Sequence, residues 1–153
     1  FKRFKPGDFI EAQGYTGSVD EIQIFNTILT TPDNKAVIIP NGGLATGSMI
    51  NYSEKKTRRV DWTFGIAYGD DVQKTRKVLL ELCEKDERIL KDPEVFVGLA
   101  ELADSSVNFV LRAWVKTEDY WSVHFDMNEK VYAAFNEADL NIPFPQMDVH
   151  VSS

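Results

Sequence analysis

Cysteine is nearly missing: Cys83 is the only one in 153 residues. One thiol can neither close a disulfide within the chain nor supply a cysteine-based zinc site. A chain so poor in cysteine suits a reducing compartment. Histidine is almost as scarce, with only His124 and His150. No apolar run approaches the ~18 residues of a membrane span. Phe1-Lys2-Arg3-Phe4-Lys5 is basic, but no apolar stretch follows it, so no signal peptide is visible. The sequence begins at Phe1 rather than at methionine. It is expected to be a piece of a longer protein, and the lack of a span then describes this piece alone.

What is present is ordinary globular composition, 43% hydrophobic and 27% charged. A single core of this length would bury roughly 70% of the unfolded chain's surface. The formal net charge of −7 argues against a general nucleic-acid binder. Its distribution is uneven. Residues 1–59 carry eight Lys/Arg and six Asp/Glu, a net +2, whereas residues 60–153 carry nine and eighteen, a net −9. A basic half can sit near anionic lipid head groups, and an acidic half is better left in solvent.

The first half reads as short strands. Pro6-Gly7-Asp8 signals a turn before Phe9–Ala12, and Gln13-Gly14 signals another. Tyr15–Phe25 is β-prone, but Val19 and Ile22 break strict alternation, which predicts a bulge near Asp20-Glu21. Asn26–Thr30, a turn at Pro32-Asp33-Asn34 and the apolar run Ala36–Ile39 follow. Pro40-Asn41-Gly42-Gly43 is expected to stop that strand in a tight turn, with glycine supplying positive φ. Met49–Tyr52 is a last short strand. Strands of this length and spacing suggest a small β-barrel.

The period then changes. Val60–Tyr68 alternates as a half-buried strand. Asp70-Asp71 offers a helix cap, and Val72, Val78, Leu79, Leu82 and Cys83 form an apolar stripe on a helix that should end before Asp92-Pro93. Two strands of a hairpin follow at Val95–Leu99 and Val107–Val115. A second helix begins at Glu118, with Tyr120, Val123, Met127, Val131, Ala134, Phe135 and Ala138 on one side. Gln146–Val151 alternates as a final strand. The predicted class is α+β, with an all-β first domain followed by a ferredoxin-like βαββαβ domain.

Enzyme chemistry finds little support. There is no P-loop, GxGxxG or GxSxG. His124 and Asp126 are two apart on a helix and point to different sides, so they are not a base with its orienting acid. His124 reads as a surface or hydrogen-bonded helix histidine, and Cys83 as a buried inert thiol. Asp70-Asp71 fits a cap better than a metal pair, and no metal or cofactor is expected. An RNA-recognition sheet needs basic and aromatic residues at set spacing. Phe109, Arg112 and Trp114 do not give it, so no nucleic-acid partner is expected.

Several segments, taken in order, carry a resemblance. They are Phe4-Lys5-Pro6-Gly7-Asp8-Phe9-Ile10-Glu11, Gly17-Ser18-Val19-Asp20-Glu21-Ile22, Val37-Ile38-Ile39-Pro40-Asn41-Gly42 and Ile50-Asn51-Tyr52-Ser53. Arg58-Arg59, Phe64-Gly65-Ile66-Ala67-Tyr68 and the run from Asp86 to Pro93 continue the series, which closes on Ser105–Phe109 and Phe144–Val149. The ordered set resembles the soluble part of the small-conductance mechanosensitive channel family, MscS, over essentially the whole chain. The resemblance implies a homoheptamer in the bacterial inner membrane, with transmembrane helices upstream of Phe1 and this chain as its cytoplasmic cage. It implies an Sm-like (SH3-like) β domain at 1–59, an α/β domain at 60–145, and a strand of an inter-subunit β-barrel at 146–153. In that family tension opens the pore in hypo-osmotic shock, and ions and small osmolytes enter through side portals in the cage. A soluble oligomeric module using the same folds for RNA or a ligand is the alternative.

The residues singled out follow from both readings. Pro40, Asn41 and Gly42 match a family loop that contacts the pore-lining helix's extension and influences inactivation. Arg58 and Arg59 stand where the domains are expected to join, as a clamp at the domain or portal boundary. Lys2, Arg3 and Lys5 would lie near head groups, each worth about 1 kcal/mol at an anionic surface. In the last strand Gln146, Asp148 and His150 share one face, and Met147, Val149 and Val151 the other. Such a strand has too few partners in a monomer; in a closed ring of copies no edge is left.

Overall fold

The computed structural model describes residues 3–145 and 147. The chain divides between Lys56 and Thr57 into two compact units.

The first unit is a five-stranded antiparallel sheet in the order β4-β3-β2-β1-β5. Its strands are β1 (Phe9–Ala12), β2 (Tyr15–Ile22), β3 (Asn26–Thr30), β4 (Ala36–Pro40) and β5 (Met49–Asn51). The register slips between Val19 and Glu21, the predicted bulge, and this lets Val19 and Ile22 both serve the core. Ile10, Ala12, Val19, Leu29 and Ile39 are the buried core, and the alternation of β1 and β3 follows from it. Gly17 lies against β3: a Cβ there would come within 2.6 Å of the Thr30 carbonyl oxygen.

One expectation fails here. Pro40-Asn41-Gly42-Gly43 does not form a tight turn. β4 runs through Pro40, and Asn41–Thr46 form a short helix, α1. Gly42 has no positive φ; the glycines that do are Gly7, Gly14 and Gly69. Pro40 stands at the residue before the helix without a side-chain capping bond, and its fixed φ of −59° is compatible with that position.

The second unit is a three-stranded antiparallel sheet, order β6-β8-β7, with two helices on one face. Its elements are β6 (Thr57–Ile66), α2 (Val72–Glu84), β7 (Phe96–Leu102), β8 (Val107–Lys116) and α3 (Tyr120–Glu137), the last entered through a 3-10 turn at Thr117–Asp119. Alternate residues of β8 from Val107 to Val115 are buried against Leu79 and Cys83 of α2 and Val123, Met127, Val131 and Phe135 of α3. Asp71 caps α2 as predicted, its carboxylate accepting the Lys74 amide at 3.0 Å. Asp70 turns instead to Asn141, accepting its backbone amide at 2.7 Å.

One boundary differs from the sequence reading: β6 begins at Thr57 rather than Val60, so the second unit starts three residues before the expected join at 59/60. α2 ends at Glu84, before Asp92-Pro93 as expected, and the chain is then recruited to the sheet: Leu90 donates its amide to the Trp114 carbonyl at 2.8 Å, and Ile89 bridges to Val115. Among the described residues the order is βαββα, without the closing strand of βαββαβ. After α3 the Ile142-Pro143-Phe144-Pro145 segment holds two prolines that cannot donate to a ladder, and its Phe144 is exposed. The expected strand at 146–151 lies outside the described residues except for Met147, which is exposed and in no strand.

Candidate functional site

The loop expected at Pro40-Asn41-Gly42 proves to be a polar staple. Asn41 uses its whole side chain within the first unit. Its Oδ1 accepts the Thr27 hydroxyl at 2.7 Å, and its Nδ2 donates to the Gln23 and Ile24 carbonyls at 2.9 and 3.0 Å. Its backbone amide donates to the Phe25 carbonyl at 2.8 Å. Thr27 is fully buried, so its hydroxyl needs that acceptor. The β2–β3 turn thus held presents Ile24 and Phe25, 87% and 78% exposed. Leu44 and Met49 line a groove beside Ile24 and Asn41. Gly42 faces open space. Sequence spacing shows the turn residues but not this cross-strand network, which links positions about 15 residues apart.

Of the three basic residues expected near head groups, Lys2 lies outside the described residues. Arg3 pairs with Glu54, and both are exposed. Lys5 is exposed, and its backbone amide donates to the Asp8 carboxylate at 3.1 Å. Asn51 ties this segment to β5, donating to the Arg3 carbonyl and to Asp8.

Arg58 and Arg59 both lie within β6, and strand alternation sends them to opposite faces. The Arg58 guanidinium sits 3.7 Å over the ring of Tyr120 at the start of α3. Arg59 makes a two-point ion pair with Asp61, at 2.8 and 3.1 Å.

Two clusters escape the sequence reading. Asp86, its side chain only 4% exposed, accepts from Arg88 at 2.9 Å and faces Lys130; Arg88 reaches on to Asp126 of α3 at 3.0 Å. The hydrogen bonds from Arg88 hold the Asp86 carboxyl below its ordinary range. His124 is neither a surface nor a satisfied histidine. It is ringed by Trp62, Tyr120, Trp121 and Phe125, and its Nδ1 is buried with no hydrogen-bond partner. Trp62 donates its indole N–H to the His124 carbonyl at 3.0 Å. Cys83 is buried, and burial pushes its thiol up to about 11, which fits an inert thiol. Among the described residues no group of acids, histidines and cysteines is placed to hold a metal, and no helix is long and apolar enough to cross a membrane.

These polar clamps and this exposed apolar surface lie within segments that match described families. Residues 1–54 match the description "Mechanosensitive ion channel, beta-domain", and residues 60–142 match "Mechanosensitive ion channel MscS, C-terminal". The small-conductance mechanosensitive channel of Edwardsiella ictaluri is 43% identical over 151 residues, covering 99% of this chain and 53% of that one. The crystal structure of Helicobacter pylori MscS in its closed state aligns with a TM-score of 0.93 at 32% identity, over 99% of this chain and 60% of that one. The cryo-EM structure of Arabidopsis thaliana MSL1, at 15% identity and a TM-score of 0.75, shares the fold. The class is therefore that of mechanosensitive ion channels. The chain belongs to the MscS family, and it spans about half the length of the curated relatives it matches.

Proposed function

We propose that the chain is the cytoplasmic cage of a channel that opens under membrane tension in hypo-osmotic shock. Helices upstream of Phe1 span the bacterial inner membrane in this reading. An Sm-like β domain lies beneath them and a ferredoxin-like α/β domain runs on to residue 145, with the join moved from the expected 59/60 to 56/57 by the start of β6, and residues 146–153 are a strand that pairs between copies. The copies assemble as a homoheptamer, and ions and small osmolytes reach the pore through side portals between them. The carrying observation is that both units, in order, match one channel family.

Physical features support it. Among the described residues β4 and β5 end the first sheet with one neighbour each, and β6 and β7 do the same in the second, so both sheets have borders that copies can use. The clamp by Asn41 fixes a turn whose apolar tip, Ile24-Phe25, can bear on a pore-lining helix; Pro40, Asn41 and Gly42 thereby set inactivation. Arg58 and Arg59 sit at the start of β6, at the domain or portal boundary, and Lys2, Arg3 and Lys5 lie toward the head groups.

Expression of the full-length protein in bacteria stripped of their own tension-gated channels tests the function. Survival of a sudden dilution should rise well above that of cells carrying an empty vector. Membrane-inserted protein that gives no protection speaks against the proposal.

A further inference from the structure

Asn41, the hub of the staple, is also the chain's most reactive asparagine. Of all the asparagines only Asn41 is followed by glycine; the others precede threonine, lysine, tyrosine, phenylalanine, glutamate or isoleucine. An asparagine before glycine can lose ammonia. The backbone nitrogen of Gly42 attacks Cγ of Asn41, and the new C–N bond closes a five-membered imide. The Cγ–Nδ2 bond breaks, and Nδ2 leaves as ammonia with the proton that Gly42 gives up. Water then opens the ring at either carbonyl, leaving aspartate or its isoaspartyl isomer. In sum, side-chain amide and water give carboxylate and ammonium. Glycine favours the attack because it has no Cβ to obstruct it.

The fold both offers this reaction and restrains it. Gly42 stands in the first turn of α1, where no carbonyl of the helix takes its N–H, and nothing lies near its Cβ position, so water reaches the pair. Against this, Asn41 has helical backbone, and closing the imide needs its ψ to turn away from the helical value. The leaving amide is the donor half of the staple, bonded to the Gln23 and Ile24 carbonyls, and Oδ1 is held by the buried Thr27 hydroxyl. The reaction must therefore wait until α1 lifts from the β2–β3 turn. That opening is local. α1 has six residues and no buried side chain, and besides the staple it is held by Gln13, which donates to the Gly43 carbonyl at 2.9 Å.

Once converted, the staple cannot form again. An aspartate at this position accepts at both oxygens and donates at neither. Thr27 keeps an acceptor, but the Gln23 and Ile24 carbonyls lose their donor and meet a negative charge. A carboxylate in the first turn of a helix is ordinarily favourable, yet here it displaces the bonds that dock the helix. The isoaspartyl form adds a carbon to the backbone at the start of α1 and disturbs it further.

We propose that Asn41-Gly42 is a latent deamidation site gated by the staple: intact while α1 is docked, converted when α1 opens, and unable to dock in the same way afterwards. The chemistry stands on the first unit alone and does not depend on the channel reading.

Incubating the full-length protein at mildly alkaline pH and weighing the peptide that contains Asn41 tests this. The converted peptide is one dalton heavier, and its two isomers separate by chromatography. Conversion in the folded protein should be roughly tenfold or more slower than in the same protein in urea, because three hydrogen bonds must open first. Thr27→Val keeps the shape of a buried side chain and removes its hydroxyl. It should speed conversion severalfold in the folded protein and leave the rate in urea unchanged. Asn41→Asp, which makes the product directly, should lower the urea midpoint of the first unit. Equal rates in the folded protein and in urea would overturn the gating, and so would a Thr27→Val rate equal to that of the parent. The first comparison uses the unaltered protein, so it decides the matter even where Thr27→Val folds poorly. An Asn41→Asp protein as stable as its parent would overturn the loss of docking.

Discussion

The two units solve the same problem with different means. Among the described residues the first closes on five buried apolar side chains and the second on seventeen. The first compensates with polar staples: Asn41 from α1 to the β2–β3 turn and β3, and Asn51 with Asp8 at the N-terminal segment. The second relies on two helices packed on a sheet, with one ion cluster at Asp86. A small core leaves little margin, so the first unit should be the weaker part and the one that gains most from neighbours.

The largest effect should come from truncating each core. Leu29→Ala and Phe109→Ala remove fully buried side chains, and each should cost about 2–5 kcal/mol. The outcomes should differ by unit. Trp62, Trp114 and Trp121 all lie in the second, so indole fluorescence follows that unit while far-ultraviolet circular dichroism follows both. In urea, Leu29→Ala should bring forward an early dichroism transition and leave the fluorescence midpoint in place; Phe109→Ala should shift the fluorescence midpoint. One shared transition in both variants would show that the units unfold together, and the contrast would fall.

An intermediate effect belongs to Asp86. Its carboxyl titrates lower in the folded chain than in the unfolded one, because Arg88 bonds to its charged form. The unfolded chain then binds more protons on acidification. The stabilisation is complete above the unfolded value of about 4, and is lost as pH falls through the lower folded value. Asp86→Asn should lower the stability of the second unit by roughly 1–3 kcal/mol at neutral pH and should flatten its acid dependence, read from fluorescence-detected melts. An unchanged acid slope would place the stabilisation elsewhere.

The smallest effect is expected at Gly42. It lies in α1 with ordinary φ and nothing near its Cβ position. Gly42→Ala should leave stability unchanged or raise it by up to ~1 kcal/mol. A shift in inactivation in that variant is then a change of contact and not of folding. A substantial loss of stability would contradict the helical placement.

Much of this was legible in the residues. The break at Val19 and Ile22 marked the β2 bulge, the position of Asp71 marked the cap of α2, and the apolar spacing from Val123 to Phe135 marked the buried side of α3. The ordered segments identified the family. α1 was hidden because two glycines after a proline look like a stop, and the helix buries nothing that could betray it. The start of β6 was hidden because Thr57-Arg58-Arg59 is polar on both faces. The Asp86 cluster and the Asn41 staple join residues far apart in sequence, and such pairings leave no local spacing to read. His124 misled because its aromatic surround comes partly from β6.

Recording from a membrane patch that contains the full-length protein tests the central claim most directly. Stepwise suction should open discrete currents whose frequency rises with tension and whose inactivation changes when Asn41 is replaced by alanine. Patches that carry the protein and stay silent up to the rupture of the membrane would contradict the account.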